Sequence, residues 1–132
     1  MHKRGFTLIE LLTVVAIMSI LIVAGYPSYQ SYLRESRRQD AIQGILTFQI
    51  TIEDYIAKNN ALPDPAISPY TPRASTNNLY TITYSRIDLT ALTYNIVAVA
   101  IGDQINDKAG ATPCSSLTLD NIVDGITPYA CK

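Results

Sequence analysis

Phe6-Thr7-Leu8-Ile9-Glu10-Leu11-Leu12-Thr13-Val14-Val15-Ala16-Ile17-Met18-Ser19-Ile20-Leu21-Ile22-Val23-Ala24-Gly25 decides the fold of this 132-residue chain. As a helix rising ~1.5 Å per residue, the stretch spans about 30 Å, the thickness of the hydrocarbon core of a bilayer. Glu10 is its single charge, and the next one along the chain is Arg34. Lys3 and Arg4 precede it, an arrangement that favours a cytoplasmic N-terminus and puts the rest of the chain on the far side of the membrane.

Outside this segment about 100 residues remain, enough for one small core. Hydrophobic residues make up 48% of the chain and charged residues 16%. The charged share is below the roughly 25% of ordinary soluble domains, which excludes a highly charged disordered chain. The formal net charge is -1, so no global excess of positive charge points to nucleic acid.

Two cysteines, Cys114 and Cys131, lie close to the C-terminus. Two thiols without a neighbouring histidine do not make a zinc site, and their separation is too long for a C-x-x-C redox pair. They read as one structural disulfide closing a C-terminal loop, with two buried free thiols as the competing reading. A disulfide requires an oxidising compartment, in agreement with a head outside the cytoplasm. The lone histidine, His2, has no partner for acid–base chemistry.

The apolar segment admits three readings. A secretory signal peptide wants a small-residue cleavage site, and Ala24-Gly25-Tyr26 is a poor one. A plain anchor does not need Glu10, whose carboxylate costs up to about 3 kcal/mol deep in a membrane. The third reading gives Glu10 a cationic partner, and it rests on a resemblance. Gly5-Phe6-Thr7-Leu8-Ile9-Glu10-Leu11 after a short basic leader resembles the processing motif of type IV pilins and pseudopilins. The resemblance implies that a membrane peptidase cuts between Gly5 and Phe6 and that Phe6 becomes N-methylated. It also implies that the apolar helix stays on the mature protein. Gly5 offers the peptidase unobstructed backbone. The cut creates a cationic amine at Phe6, which Glu10 of a neighbouring subunit can neutralise. An ion pair in low dielectric breaks at a cost of about 3–5 kcal/mol, so the contact would fix helix register. Snorkelling of Glu10 to the membrane surface is the alternative.

Beyond Gly25, Pro27 removes a backbone donor and is expected to kink the helix. Apolar residues then recur at helical spacing through Tyr29, Leu33, Ala41, Ile45, Phe48, Ile52, Tyr55 and Ile56, which predicts one helix from about Thr7 to Lys58. Its second half is amphipathic and needs a sheet to lie on. Arg34, Arg37 and Arg38 read as a solvated face with Glu35 and Asp40 as local partners, against a lipid or nucleic-acid contact. Glu53 and Asp54 read as exposed helix positions. The helix stops at Asn59-Asn60, and Pro63, Pro65, Pro69 and Pro72 enforce a loop that approaches twenty residues with the polar run to Asn78. Strands follow at Tyr80–Tyr84, Thr93–Ile101 and Ser116–Leu119, with a weak one near Ile126-Thr127 and a turn at Asp88–Ala91. Gly102 to Gly110 reads as a polar loop.

The fold class is therefore α+β: a long kinked helix on a small antiparallel sheet of three or four strands, with a C-terminal disulfide loop. The expected divisions are a leader over 1–5, a transmembrane or filament-core helix over 6–27 and an extracytoplasmic head over 28–132. The order of elements again resembles type IV pilins. The stretches from Gln104 to Asp107 and from Cys114 to Asp120, with Gly125 and Cys131, are similar to PilE-type minor pilins. Those proteins commonly end in a Trp after the last Cys, whereas Lys132 stands here.

No nucleotide-binding, hydrolase or metalloprotease motif occurs, so no catalytic residue, cofactor or enzyme activity is expected. Asp103, Asp107, Asp120 and Asp124 could in principle gather around calcium, but they lack the spacing and glycine of an EF-hand and read as loop aspartates. Tyr26, Tyr29 and Tyr32 suit a membrane interface, and Tyr80, Tyr84 and Tyr94 suit strands. The resemblance implies a structural, minor pilus subunit. Its partners are other pilin subunits, a prepilin peptidase and the bacterial inner membrane before assembly, with the cell-surface pilus as its destination. A pilus-borne DNA receptor and a secretion-system pseudopilin are the alternatives. From Gln39 onward five Lys and Arg face nine Asp and Glu, a balance of -4 that disfavours nucleic acid. Convergence of Arg73, Arg86 and Lys108 on one face would be the observation that reverses this.

Overall fold

The computed structural model describes residues 5–123 and 125–131. Expectations attached to His2, Lys3, Arg4, Asp124 and Lys132 therefore lie outside the described residues. The chain divides into two compact units, one ending at Leu33 and one beginning at Arg34. A single helix, α1, runs Leu8–Asn59 and contains Pro27. It ends where expected. Asn60 takes a left-handed φ of 48°, and its N–H donates to the Ile56 carbonyl at 2.8 Å. Asparagine tolerates this conformation better than most residues, so it closes helices.

In the first unit the helix is apolar all round. Phe6, Ile20 and Val23 are 89%, 70% and 75% exposed. The helix is long and apolar enough to cross a membrane. Tyr26, Tyr29 and Tyr32 are exposed at its end.

In the second unit Arg38, Ala41, Ile45, Phe48 and Ile52 are buried, at steps of three and four residues. That stripe is one helix face, and it lies on a five-stranded antiparallel sheet. The strands are β1 (Arg73–Ala74), β2 (Tyr80–Asp88), β3 (Thr93–Ala100), β6 (Ser116–Asp120) and β7 (Ile126–Thr127), in the order β1-β2-β3-β6-β7. A separate two-stranded hairpin pairs β4 (Lys108–Ala109) with β5 (Thr112–Pro113). Every second residue of the central strands faces the helix. Tyr80, Ile82 and Tyr84 on β2 are buried, with Tyr94, Ile96 and Ala98 on β3 and Leu117 and Leu119 on β6. Full burial of each large side chain contributes about 1.5–3 kcal/mol, so this layer dominates the stability of the head. Tyr84 packs between Phe48 and Tyr94, tilted to the first and edge-on to the second, with ring centroids 6.2 and 5.7 Å away.

The sheet has five strands rather than three or four. The extra one, β1, emerges from the end of the proline-rich loop and pairs Arg73 with Ile82 and Ala74 with Thr81. Two residues have no readable period, which is why β1, β4 and β5 leave no mark in the sequence pattern. The Gly102–Gly110 stretch, expected as loop, contains a 3-10 helix at Gly102–Asn106 and β4. The proline-rich loop itself is packed down. Leu62 and Pro63 are buried, the Tyr84 hydroxyl donates to the Pro63 carbonyl at 3.2 Å, and Tyr70 meets Tyr55 edge-on at 5.4 Å. The Asp88–Ala91 turn forms as expected, with Asp88 Oδ1 accepting the N–H groups of Thr90 and Ala91.

Cys114 and Cys131 are disulfide-bonded, with Cα atoms 5.7 Å apart and both residues fully buried. The free-thiol reading falls. The bridge ties the segment after β5 to the 3-10 turn Tyr129–Cys131.

Candidate functional site

Two constellations carry the chemistry, one in each unit. At the start of α1, Gly5 is exposed and open space surrounds the position a Cβ would take. Phe6 follows it, almost fully exposed. The next residues close on themselves. The Thr7 N–H donates to Glu10 Oε2 at 2.9 Å, and the Thr7 hydroxyl donates to the same oxygen at 2.8 Å. The Glu10 N–H in turn points at Thr7 Oγ1, 3.4 Å away. This is a capping box, in which a threonine and a glutamate three residues on satisfy donors that a helix start leaves orphaned. The signal for it, Thr7-Leu8-Ile9-Glu10 ahead of an apolar run, was present in the sequence. Glu10 is thus held at the N-terminal edge of the helix, next to the Phe6–Thr7 peptide.

The second constellation joins the helix to the segment after β3. Arg34 donates to both carboxylate oxygens of Asp103, at 3.1 and 2.9 Å. One turn on, Arg38 donates to both oxygens of Asp107, at 2.7 and 2.9 Å. Arginine and aspartate pairs four residues apart on each side make two parallel forks, the strongest geometry available to this ion pair. The first is partly exposed. The second is sealed, with side chains 3% and 1% exposed. Gln104 adds a bond from its amide nitrogen to the Arg34 carbonyl at 2.6 Å. The hydrogen bond to Asp107 raises the Arg38 pKa, and that from Arg34 holds the Asp103 carboxyl below its usual range.

These contacts correct the solvated-face reading of Arg34 and Arg38. Their carboxylate partners lie 69 residues away in sequence, not at Glu35 and Asp40. Asp40 is buried and accepts the Asn77 backbone N–H at 3.2 Å and its side-chain amide at 3.1 Å. Asp103 and Asp107, expected as ordinary loop aspartates, are both paired with helix arginines; Asp103 stays exposed and Asp107 is buried. No cluster of metal-ligating side chains occurs among the described residues. Glu53 and Asp54 are exposed as expected, but each has a partner. Asp54 pairs with Lys58 one turn on, and Glu53 accepts a short hydrogen bond from the Tyr94 hydroxyl. Burial and then Glu53 push the Tyr94 pKa up, while burial takes Tyr84 up to about 12.

Arg73, Arg86 and Lys108 do not converge. Arg73 lies opposite Ile82 with its guanidinium over the Phe48 ring at 3.8 Å. Arg86 stands four residues further along β2, roughly 13 Å, and approaches Asp64 at 3.8 Å. Lys108 belongs to β4 beside Asp107, past the opposite end of β3.

Comparison with known proteins decides what carries these sites. Residues 27–118 match the family described as type IV minor pilin ComP, DNA uptake sequence receptor. The chain belongs to this family of type IV minor pilins. Residues 1–26 of the pilin match the prokaryotic N-terminal methylation motif. Prepilin peptidase-dependent protein D of Escherichia coli (strain K12) is 43% identical over 51 residues, 39% of the pilin and 35% of that protein. Fimbrial protein EcpC of Eikenella corrodens is 46% identical over 39 residues, 30% of the pilin and 26% of that protein. The pilin therefore spans about a third of the first curated relative's length and about a quarter of the second's. No solved structure gives a significant match.

Breaking the sealed clamp leaves a buried charge unpaired. Arg38→Met or Asp107→Asn alone should cost about 3–5 kcal/mol in urea unfolding. Arg38→Met with Asp107→Leu should recover most of that loss. Equal losses in the single and double variants would show that the pair is not the source.

Acid should weaken the head in a definite direction. Asp103 is held low by Arg34, and Asp88 by the Ala91 and Thr90 N–H groups. A carboxyl with a depressed folded pKa stabilises above its unfolded value of about 4, and that contribution is lost as pH falls through the folded value. The urea midpoint should fall between about pH 4 and pH 2, and less steeply in Asp103→Asn; an unchanged slope in that variant would refute the contribution of Asp103.

Proposed function

We propose that the pilin enters a type IV pilus as a structural subunit, after a prepilin peptidase removes residues 1–5 and Phe6 is N-methylated. Residues 6–27 hold the precursor in the inner membrane, N-terminus in the cytoplasm, and then form part of the filament core. Residues 28–132 are the head outside, with Pro27 bending the helix between them. In the filament Glu10 faces the Phe6 amine of a neighbouring subunit and sets the register of the helices. The role is assembly rather than catalysis.

The observation that carries this reading is the combination at the start of α1. An apolar helix stands exposed along its whole first half, and one carboxylate is fixed at its N-terminal edge. Membrane lipid or other apolar helices must cover such a surface, since exposed apolar area costs about 25 cal/mol per Å² in water. The capping box adds to the argument. Once the Gly5–Phe6 bond is cut, the new cation lies one residue from the Thr7 N–H that Glu10 already binds.

Intact-mass spectrometry of the chain expressed with a prepilin peptidase should give loss of residues 1–5, one added methyl and two missing thiol hydrogens. Gly5→Leu should leave the chain uncut. An uncut wild-type chain would leave a membrane-anchored domain, and a cut after Ala24 or Gly25 would remove the filament reading.

A second reading is favoured by the match over residues 27–118: the head receives DNA at the pilus surface. Arg37 and Lys108 are exposed and supply positive charge. Against it stands the acidic balance of the head. Fluorescence anisotropy of labelled duplex DNA with the full chain in neutral detergent should show binding that weakens steeply between about 50 and 200 mM salt. Arg37→Ala and Lys108→Ala should each reduce that salt dependence. Absence of binding at the lower salt would eliminate this reading.

A further inference from the structure

Most cations of the head have a visible role. Arg34, Arg38, Lys58 and Arg86 each face an aspartate, and Arg37 and Lys108 stand in water. Arg73 differs. It is partly buried, its plane lies on Phe48, and its Nη2 is buried with no hydrogen-bond acceptor among the described residues. Ring stacking offsets some of the charge, but the ring face accepts none of the in-plane N–H bonds. Burial lowers the Arg73 pKa, the mark of a desolvated cation without a compensating anion. A buried donor left unmade is costly, so native structures supply a partner for it.

The surroundings are shaped to admit one. A recess of about 200 Å³ is lined by Gly44, Thr47, Arg73, Ser75, Thr76 and Ile82. Gly44 lets Ile82 pack close beneath it, with the Ile82 Cδ1 in the space a Cβ would need, so Ile82 forms the apolar floor of the recess. Ser75 Oγ already accepts the N–H groups of Leu79 and Tyr80, so its own O–H remains a donor. A guanidinium fork with hydroxyls beside it and no carboxylate in its wall is a complement for an oxyanion.

We propose that this recess is a carboxylate socket, filled in the pilus by an acidic side chain of a neighbouring pilin subunit. Three features favour that occupant. The guanidinium lies against the Phe48 ring and lines a recess of about 200 Å³, which suits a single carboxylate side chain. The head, residues 28–132, carries ten Asp and Glu against eight Lys and Arg, so a second such head offers carboxylate partners. And pilus assembly, on which this inference rests, sets subunits side by side.

The test has two arms. In the first, the full chain in neutral detergent, with its arginine side chains labelled with nitrogen-15, is titrated at constant ionic strength with sodium acetate, inorganic phosphate or duplex DNA, against sodium chloride. The Arg73 Nε–H resonance should shift saturably with acetate and not with chloride. This arm needs no variant, so it stands even where a substitution unfolds the head, and it reads the socket whether or not the chain assembles. In the second arm, sheared pili from the producing cells are assayed for the chain. Arg73→Gln should lower its amount roughly tenfold, the scale of one charge-assisted contact, at an unchanged melting temperature, and Arg73→Lys should fall between. The presence of the unmodified chain in the same pili reports separately on assembly. A response to DNA or phosphate without acetate, or full pilus content in a folded Arg73→Gln chain, would overturn the assignment.

Discussion

The buried pairing of Arg38 with Asp107 is the constraint on which the head depends. A guanidinium on the sheet-facing side of a helix has to be neutralised before the helix can lie down. Asp107 does so from the segment between β3 and β4, through two short hydrogen bonds. Its backbone is fixed as well. Its N–H donates to the Gln104 carbonyl at 3.0 Å, and its own carbonyl accepts from Cys114 at 2.9 Å. The carboxylate is thus anchored on one side by the 3-10 turn and on the other by a disulfide-bonded residue. Helix position, turn geometry and the covalent loop meet at this one aspartate.

The flanks of the second half of α1 differ in kind. On the β1 side Arg37, Gln39, Gln43 and Asn77 line a polar hollow, and the Arg73 recess continues on that side. On the β7 side Ile42, Leu46, Ile122 and Val123 line an apolar one. A single helix therefore presents a core face and two chemically distinct shoulders. The sheet order explains it, since the β1–β2 connection brings Ser75, Thr76 and Asn77 to one edge and the β6–β7 connection brings aliphatic side chains to the other.

Much of this fold can be read from the chain. The helix from Leu8 to Asn59 follows from an apolar run that merges into a stripe at steps of three and four, and from Asn60 as a stop. The central strands follow from alternation in Tyr80–Tyr84 and from the apolar run Thr93–Ile101, and the disulfide from two cysteines near the C-terminus with no metal-ligating or redox spacing. The clamps were not legible. Local charge rules look four residues along a helix, and Arg38 has Glu35 and Asp40 within that reach. Its true partner is set by tertiary packing, which no local rule contains. The Tyr94–Glu53 contact was hidden for the same reason. The Thr7–Glu10 box is the opposite case, a purely local motif whose threonine and glutamate stand three residues apart ahead of the apolar run.

The separation of 69 residues between Arg38 and Asp107 has a kinetic consequence. A contact that closes so long a loop forms late, because the chain entropy is lost before the contact rewards it. Until Asp107 arrives, the charge of Arg38 opposes burial of the stripe that includes Ala41 and Ile45. A nascent head that has emerged only as far as β3 therefore possesses its helix and its longest hairpin, while the Arg38 end of the helix face still lacks its counter-ion. Completion of the packed helix face is deferred to the last third of the chain, and the order of emergence of the chain becomes part of how the head is built.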